Sequence, residues 1–589
     1  MRLYLFKRVI MNYHAFFFLF FFSCLLSQEH WQVAGDIISA GLVITQSISN
    51  GKINNASSIA GYEIAHPGYY ILTNDILYKP QSSGTACILI SHDNVVLDLN
   101  THVISEVGES SKGLSSYAIK ISPGVKNVTI KNGGIKDFYG GAFHIYGSSE
   151  NVISDIHIER MSIAATSCDE DSAICYLGYA RNVFIKNTSF SNNENFTKGS
   201  VFKGNSLKAL KMSFVLFSGN KNFSTGIDIK NSTTSFFNTV SISSFESDLH
   251  ENFIGLTLSG CSESQFLNIS IENNAGTYKS LQSCYGFNLI NSSNNVFDNC
   301  SVKGNVAIKS NIGFNLYQNT GSNLFKQCEV AGLQGLQEDG SSTVNDIQIV
   351  GFYLDSSFAN IFERSLVRNC YSYIGNGLLA GFLFCNQSNS NQIQSCRVLG
   401  QNALIFDPSA HLSGQCIGFY SYGNSWNTFK ECEATFNRDK GIVGSNVKAY
   451  GFLLAFEKGS SIFNSVANGN HAYGGSCGYY LDNVISCSII RSSASDNKYD
   501  GGVPGRSFGF YDATIPSKTF FQANTSFGHG GVFAGTTGND PATVDMNYYL
   551  ALTSENLMNM IKEVHATDLN AIAESGGKDL FNWSVIYEE

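Results

Sequence analysis

Charge is what this sequence has least of. Lys, Arg, Asp and Glu make up 14% of its 589 residues, against the ~25% of an ordinary globular chain. Polar surface must come instead from Asn, Ser, Thr and Gly, the residues of tight turns. Proline is nearly missing at 7 residues, whereas glycine reaches 56. The net charge is −10 and no basic block follows the N-terminus. That argues against a nucleic-acid partner, because such binding rests on Lys and Arg neutralising phosphates. Beyond the first residues no stretch reaches the ~18 apolar residues of a spanning helix, so no membrane span is expected in the mature chain. Global disorder is excluded as well, since 43% of the residues are hydrophobic and can build a core. Length alone suggests about four domains, but an internal repeat overrides that count.

What the N-terminus does have is a targeting pattern. Arg2, Lys7 and Arg8 precede the run Ala15-Phe-Phe-Phe-Leu-Phe-Phe-Phe-Ser-Cys-Leu-Leu-Ser27. This run is too short to cross a bilayer comfortably and fits the apolar region of a secretory signal. Residues 1–27 are therefore expected to be a signal peptide cut near Ser27, with the mature protein secreted, held at the cell surface or periplasmic. Leu25, which is not small, sits three residues before that cut, and an uncleaved anchor is the alternative.

The repeat sets the fold. Gly286-Phe-Asn-Leu, Gly313-Phe-Asn-Leu, Gly351-Phe-Tyr-Leu, Gly381-Phe-Leu-Phe, Gly418-Phe-Tyr-Ser, Gly451-Phe-Leu-Leu, Gly478-Tyr-Tyr-Leu and Gly509-Phe-Tyr-Asp recur at spacings of 27, 38, 30, 37, 33, 27 and 31. Weaker copies begin at Gly255, Gly226, Ala142 and Ala118, and further ones lie near Ile174, Val201 and Ala86. About fifteen units thus span residues 86–515. Each reads as Gly, alternating apolar residues, a polar turn, then two more short apolar stretches. Period-2 alternation with no room for a crossover helix excludes α/β folds and leucine-rich repeats. It points to a solenoid whose coils stack at ~4.8 Å, a rod of roughly 70 Å.

Two further columns support the alignment. Asn precedes an apolar residue at Asn94, Asn127, Asn151, Asn182, Asn295, Asn323 and Asn360; Asn tolerates the left-handed backbone of a sharp bend and can bond a neighbouring copy. Five or six residues later comes a column read as Asn132, Asn187, Cys300, Cys328, Ser365, Cys396, Cys432 and Ser465, where adjacent units stack and a small side chain is needed. Stacked cysteines point in parallel, which suits buried thiols better than disulfides. Fourteen cysteines follow Cys24; only Cys168 and Cys175, closing an acidic loop, are expected to pair.

The stretch Tyr69-Tyr-Ile-Leu-Thr-Asn-Asp-Ile76, followed by Asn94-Val-Val-Leu-Asp-Leu-Asn-Thr-His-Val-Ile104, resembles the opening coil of the right-handed parallel β-helix, or pectin-lyase-like, superfamily of bacterial secreted proteins. The resemblance implies an all-β, right-handed parallel β-helix solenoid. Residues 28–85 would form the N-terminal cap, 86–515 the β-helix and 516–589 the C-terminal cap. That last cap is expected to carry one amphipathic helix from Ser554, with Leu557, Ile561, Val564 and Ile572 on one face and Gly576-Gly577 as its stop. The superfamily hosts lyases, hydrolases, epimerases, adhesins and inactive proteins, so fold does not give function. Its polygalacturonase-like members carry Asn-Thr-Asp, Asp-Asp, Gly-His-Gly and Arg-Ile-Lys. Only Gly528-His529-Gly530 occurs here, and without a carboxylate pair glycoside hydrolysis lacks its acid and base.

Three candidate sites remain. The residue two after each repeat position should point outward, giving the column Lys120, His144, Tyr176, Asp228, Thr257, Asn288, Asn315, Tyr353, Leu383, Tyr420, Leu453, Tyr480 and Tyr511. Tyr353, Tyr420, Tyr480 and Tyr511 offer rings for stacking on sugars, unless the longer loops between 351 and 450 fold over them. Lyase or epimerase chemistry needs a base beside a group that neutralises a uronate carboxylate; Lys120, His144, Arg181 and Asp155 are the candidates, with His157, Arg160 and Asp137 on the same coils. Asp169, Glu170 and Asp171 form the densest acidic spot and could hold a hard cation such as Ca2+, although a plain solvated loop explains them as well. The reading that combines these features is an exported rod that binds a polysaccharide or cell-surface glycan without turning it over. The alternative is a lyase or epimerase acting on a uronate-containing polymer.

Overall fold

The computed structural model describes residues 61–527, apart from 81 and the segments 107–113, 169–172, 196–198, 248–251, 277–281, 336–346, 373–376, 404–413, 440–447, 500–506 and 515–518. It also describes the strands Leu42–Val43, Val544–Asp545 and Tyr548–Leu550. The expected signal peptide, the acidic Asp169, Glu170 and Asp171, the Gly528-His529-Gly530 triplet and the helix from Ser554 lie outside the described residues.

Among the described residues every regular element is a strand, and all strand pairing is parallel between successive coils. A front sheet of 16 strands takes one strand from each coil, beginning with Tyr62–Ile64 and Thr85–Ile90 and ending with Ser507–Asp512. A back sheet of 29 strands and a third sheet of 7 complete the walls. This is the parallel β-helix that the repeat implies. Fifteen of the 16 front strands start at or after Thr85, in agreement with the fifteen units counted in the sequence. Gly68–Ile71 and Ile76–Tyr78 already pair with Val95–Asp98 and Val103–Glu106, so coil geometry is under way by residue 62.

Coil shape changes along the rod. Early coils cross the back in one long strand, such as Ile153–Ala164 or Ala180–Ser191. Later coils divide it into two, as in Val296–Asp298 and Ser301–Lys303, and add a third-sheet strand such as Val306–Ala307. The break falls at the left-handed Asn299, φ 54°, in the same column as Asn187 and Phe214, which bend the long strands without dividing them.

The repeat glycines have a steric cause. A Cβ at Gly313 would stand 2.5 Å from Val330 Cγ2 on the back sheet and 2.6 Å from the carbonyl oxygen of Gly351 on the next coil. Neither neighbour can yield without moving backbone. This approach is so close because two phenylalanine stacks fill the rest of the cavity. Phe287, Phe314, Phe352, Phe382, Phe419 and Phe452 line the front wall at centroid spacings of 4.5–5.1 Å. Phe266, Phe297, Phe325 and Phe362 line the back at 4.7–4.8 Å. Burying each ring contributes about 1.5–3 kcal/mol, and the two stacks meet edge to face.

The asparagine column of the sequence proves to be two columns, one residue apart. In early coils Asn94, Asn127 and Asn182 hold left-handed turns at φ 54–60°, and the Asn127 amide donates to Asn94 Oδ1 at 2.8 Å. In later coils that turn position passes to Asn294, Ser322, Ala359 and Ser390. Asn295, Asn323, Asn360, Asn391 and Asn427 lie one residue further and point into the core, fully buried. There each Oδ1 accepts the backbone N–H of the preceding coil and, from Asn323 onward, its side-chain amide as well, as Asn360 Oδ1 does from Asn323 at 3.1 Å twice. The same offset corrects the small-residue column. Asn132 and Asn187 sit at the left-handed bend, one residue before the row that holds Cys300, Cys328, Ser365, Cys396, Cys432 and Ser465. In that row the Cys328 and Cys432 N–H groups donate to the Ser365 and Ser465 hydroxyls.

Candidate functional site

All fourteen described cysteines are thiols. The expected Cys168–Cys175 disulfide is not formed: both residues are buried, and Cys175 belongs to the front wall, in register between Phe143 and Phe202. Its side chain belongs to the hydrophobic core. Burial drives the Cys284, Cys370 and Cys432 thiols up to about 12, which removes thiolate chemistry at neutral pH. Among the described residues no cluster of His, Cys, Asp and Glu suits a metal ion.

The outward front column is found strand by strand, from Lys120 paired with His144 through to Tyr480 paired with Tyr511. It includes Lys203, between Tyr176 and Asp228, which the sequence reading skipped, and it begins two coils before Lys120, with Glu63 and Leu89. Lys120, His144, Tyr176 and Lys203 occupy four successive coils. The His144 ring is tilted against Tyr117 at 4.6 Å and meets Tyr176 edge-on at 5.7 Å. Burial, helped by the Lys120 charge, holds the imidazole down at about 4, so it is neutral at pH 7. Its Nδ1 is buried without a hydrogen-bond partner among the described residues. Lys203 Nζ lies 5.7 Å from the Tyr176 ring centre, and burial raises the Tyr176 phenol to about 12.

Arg181 and Asp155 do not join this group. Both belong to the back sheet, where Asp155 takes the asparagine position of the turn column and accepts from the Asn182 amide at 2.9 Å. That bond, more than the Arg181 charge, keeps its carboxyl below the usual range. His157 stacks on Phe184 at 4.6 Å on the same sheet, and Arg160 pairs with Glu159 at 2.9 Å. The four candidate catalytic residues are thus divided between two walls because the chain turns a corner between His144 and Ser154. A linear column count does not contain that corner.

The tyrosines of the C-terminal half are half-buried. Tyr480 and Tyr511 stack on each other at 5.1 Å, so each covers a face of the other. Tyr353 donates to Asp355 Oδ2 at 3.4 Å and, with Tyr420, packs on Ile312, Val350, Ala380 and Leu383.

Exposed aromatics occur at several corners of the rod, Phe214 and Phe436 among them at 55% and 52%, and the sequence reading missed one group that shares a single edge. Trp426 is 59% exposed, Phe456 52%, Phe358 46% and Tyr422 44%. They lie on the edge where front strands turn toward the back sheet. Trp426 and Phe456 adopt left-handed backbone at φ 62° and 55°, positions filled by Ser, Ala, Asn or Gly on neighbouring coils. A bulky residue there costs on the order of 1–3 kcal/mol. Trp426 packs across Gly459 of the next coil, whose Cβ would fall 2.5 Å from its ring. The available signal was a tryptophan standing among turn residues in Asn424-Ser-Trp-Asn427.

Beside these aromatics the same edge carries an open groove lined by Asn291, Gln318, Asn319, Ser356, Asn386 and Gln387, with Phe358 and Asn389. None of these residues is charged.

No protein-family model matches the chain, and no curated protein matches its sequence. Solved structures align at low similarity. The mannuronan C-5 epimerase A-module of Azotobacter vinelandii is 11% identical, with 58% of this chain and 90% of that chain covered and a TM-score of 0.29. A mutant tailspike of the E. coli bacteriophage HK620, in complex with pentasaccharide, is 11% identical over 77% of this chain and 74% of that one, at 0.34. The catalytic domain of a GH87 alpha-1,3-glucanase in complex with tetrasaccharides is 12% identical over 67% and 64%, at 0.27. Such scores carry no argument about chemistry. The coil path, parallel register and stacked interior make the architecture a parallel β-helix.

Proposed function

We propose that this protein is an exported rod that binds glycan chains along its lateral edge and does not cleave them. The observation that carries the reading is the set of exposed aromatics, Tyr422 and Trp426 on one coil, Phe456 on the next and Phe358 two coils earlier, with Trp426 and Phe456 held in strained backbone. Folding alone favours Asn, Ser or Gly at such turns, and strain of this kind concentrates where a surface has work to do. An aromatic plane supported from below by glycine offers its free face to the C–H face of a pyranose. Export rests on the N-terminal targeting pattern. Low charge suits a hydroxyl-rich partner better than a strongly ionic one.

A second reading is favoured by the Lys120, His144, Tyr176 and Lys203 row. A neutral imidazole and a phenol flanked by two ammonium groups have the parts for proton abstraction next to a uronate carboxylate. The nearest carboxylates in that column are Glu63, two coils before Lys120, and Asp228, on the coil after Lys203 and paired with Lys230 at 3.3 Å. An array of glycans separates the two readings when run with uronate polymers monitored for the ultraviolet absorbance of unsaturated product. Binding without turnover, lost in a Tyr422→Ala/Trp426→Ala variant, is the expected result. Absorbance growth abolished by His144→Ala would replace it with the lyase reading; epimerisation detected by NMR and lost in the same variant would do so equally.

A further inference from the structure

The groove on the turn edge has a cause that can be read from register. Most coils make this turn with one left-handed residue before the next buried position: Asn291 before Ser292, Ser356 before Ser357, Gly423 before Asn424. Two coils carry one residue more. Gln318 and Asn319 are both left-handed, at φ 51° and 56°, as are Asn386 and Gln387, at 51° and 66°. Tyr317 pairs with Asp355, and Asp355 with Cys385, so the two enlarged turns flank the short Ser356 turn. They stand two coils apart, ~9.6 Å at the usual strand spacing. Ser356 is the floor of the notch and the amides of Asn319, Asn386 and Gln387 form its rims. Phe358 stands at its side, with its ring against Gly321.

The chemistry of the lining is narrow. Its side chains offer amide donors, amide acceptors, one hydroxyl and one aromatic ring, with no cation and no anion. The carboxylate next to it, Asp355, accepts on Oδ1 from Ser356 Oγ at 2.9 Å and the Asn386 amide at 3.0 Å, and on Oδ2 from the Tyr353 hydroxyl at 3.4 Å. Asn389 is likewise committed, its Oδ1 accepting the Ser425 N–H at 2.7 Å. Exposed on the rims are Gln318, Asn319, Asn386 and Gln387. A planar amide presents a donor and an acceptor side by side, the pattern that two neighbouring sugar hydroxyls complement. A uronate, sulfate or phosphate would find amide donors but no cation here to offset its charge.

We infer that this notch is a binding subsite for a neutral oligosaccharide, with hydroxyl pairs held by the rim amides and one ring face on Phe358. The inference rests on the glycan-binding reading and narrows it to an uncharged class. The notch runs on along the rod toward Trp426 and Phe456, so one linear chain can occupy both.

The test uses the full chain, immobilised, against maltohexaose, cellohexaose, mannohexaose and chitohexaose, with hexagalacturonate as the charged comparator. Asn319→Gly and Gln387→Gly remove rim amides while allowing the left-handed turns, and Ser356→Tyr fills the floor; circular dichroism checks that each variant retains the solenoid. At least one neutral hexasaccharide should bind in preference to hexagalacturonate. The Asn319→Gly/Gln387→Gly variant should weaken that binding at least ten-fold, and Ser356→Tyr should do the same. Unchanged affinity in both variants, with binding lost in Tyr422→Ala/Trp426→Ala, overturns the notch and leaves the glycan reading standing. Preference for hexagalacturonate overturns the assignment of ligand class. Absence of binding to every member of a broad glycan array overturns both the notch and the reading beneath it.

Discussion

The two halves of the rod solve the same packing problem with opposite choices. Up to about residue 225 the front-wall position before the first inward residue is filled by Cys87, Ala118, Ala142, Ile174 and Val201, all buried. They face a back wall of Ile135, Ile163, Phe190 and Phe217. From Gly226 onward the same position is glycine, the facing residue shrinks to Val330, Val367 and Val398 and then to Ala434 and Ala467, and phenylalanine carries the volume. The first half distributes its core over many medium side chains. The second concentrates it in two aromatic stacks and an amide ladder, each tuned to one coil spacing. The lesson is about tolerance: the stacked half is more regular and leaves less room for change.

The largest expected effect tests that tolerance. Gly313→Val should destabilise the rod by about 3 kcal/mol or more, because the added atoms meet Val330 and the Gly351 carbonyl. Ala142→Gly, its counterpart in the first half, should cost about 1 kcal/mol. Urea unfolding of both variants measures the difference, and equal costs would dissolve the comparison. Next in size is the amide ladder. Asn360→Leu leaves the Asn323 N–H without its acceptor in the core and removes one of the two donors to Asn391 Oδ1, a loss of about 2–3 kcal/mol. Asn127→Ala, at an exposed turn, should cost about 1 kcal/mol, the strain of a left-handed alanine.

Acidity should move the halves in opposite directions. His144 has its folded value depressed to about 4 from 6.5, so the unfolded chain takes up the proton first. Its contribution is fully present above pH 6.5 and is lost as pH falls toward 4. Glu457 is buried, and burial raises its folded value above 4.5, despite the Ser421 and Ser460 hydroxyls donating at 2.7 and 2.6 Å. Here the folded state holds the proton more tightly, so stability falls as pH rises from 4.5 through the folded value. Hydrogen exchange resolved by peptide should show the His144 coils loosening and the Glu457 coils tightening on acidification. His144→Phe and Glu457→Gln should each flatten their own slope; a uniform response along the rod would refute the assignment. The smallest effect is expected at Cys396→Ser, below about 1 kcal/mol, because the same row already holds Ser365 and Ser465. Unfolding midpoints that drop as far as for Asn360→Leu would show that the thiol matters for more than its size.

The fold was legible because each coil repeats the same physical demand. Gly before Phe, alternation and a small column are local patterns, and stacking multiplies them until fifteen weak signals agree. The outward column was legible for the same reason. What the sequence did not disclose is where columns turn corners. Asp155 and Arg181 are near His144 in the chain, yet a left-handed turn sends them to another wall. The single-residue offset between Asn182 and Asn295 was invisible because both precede an apolar residue. The aromatic edge was missed because Trp426 and Phe456 sit at positions where pattern reading expects punctuation. The notch depends on one-residue enlargements at Gln318-Asn319 and Asn386-Gln387, which a spacing that varies from 27 to 38 residues conceals.

The amide ladder gives the rod a signed axis. Successive peptide groups of one strand point alternately up and down the rod and largely cancel, but the ladder amides do not alternate. From Asn295 to Asn427 each Oδ1 is turned toward the preceding coil, and the amides of Asn295, Asn323, Asn360 and Asn391 each donate to the coil that follows. A second file, Asn437, Asn470 and Asn497, points the same way. Head-to-tail amides polarise one another, so their partial charges sum along the long axis, negative toward the N-terminal end and positive toward the C-terminal end. A coil added, removed or reversed within these files would break an electrical alignment as well as a packing one.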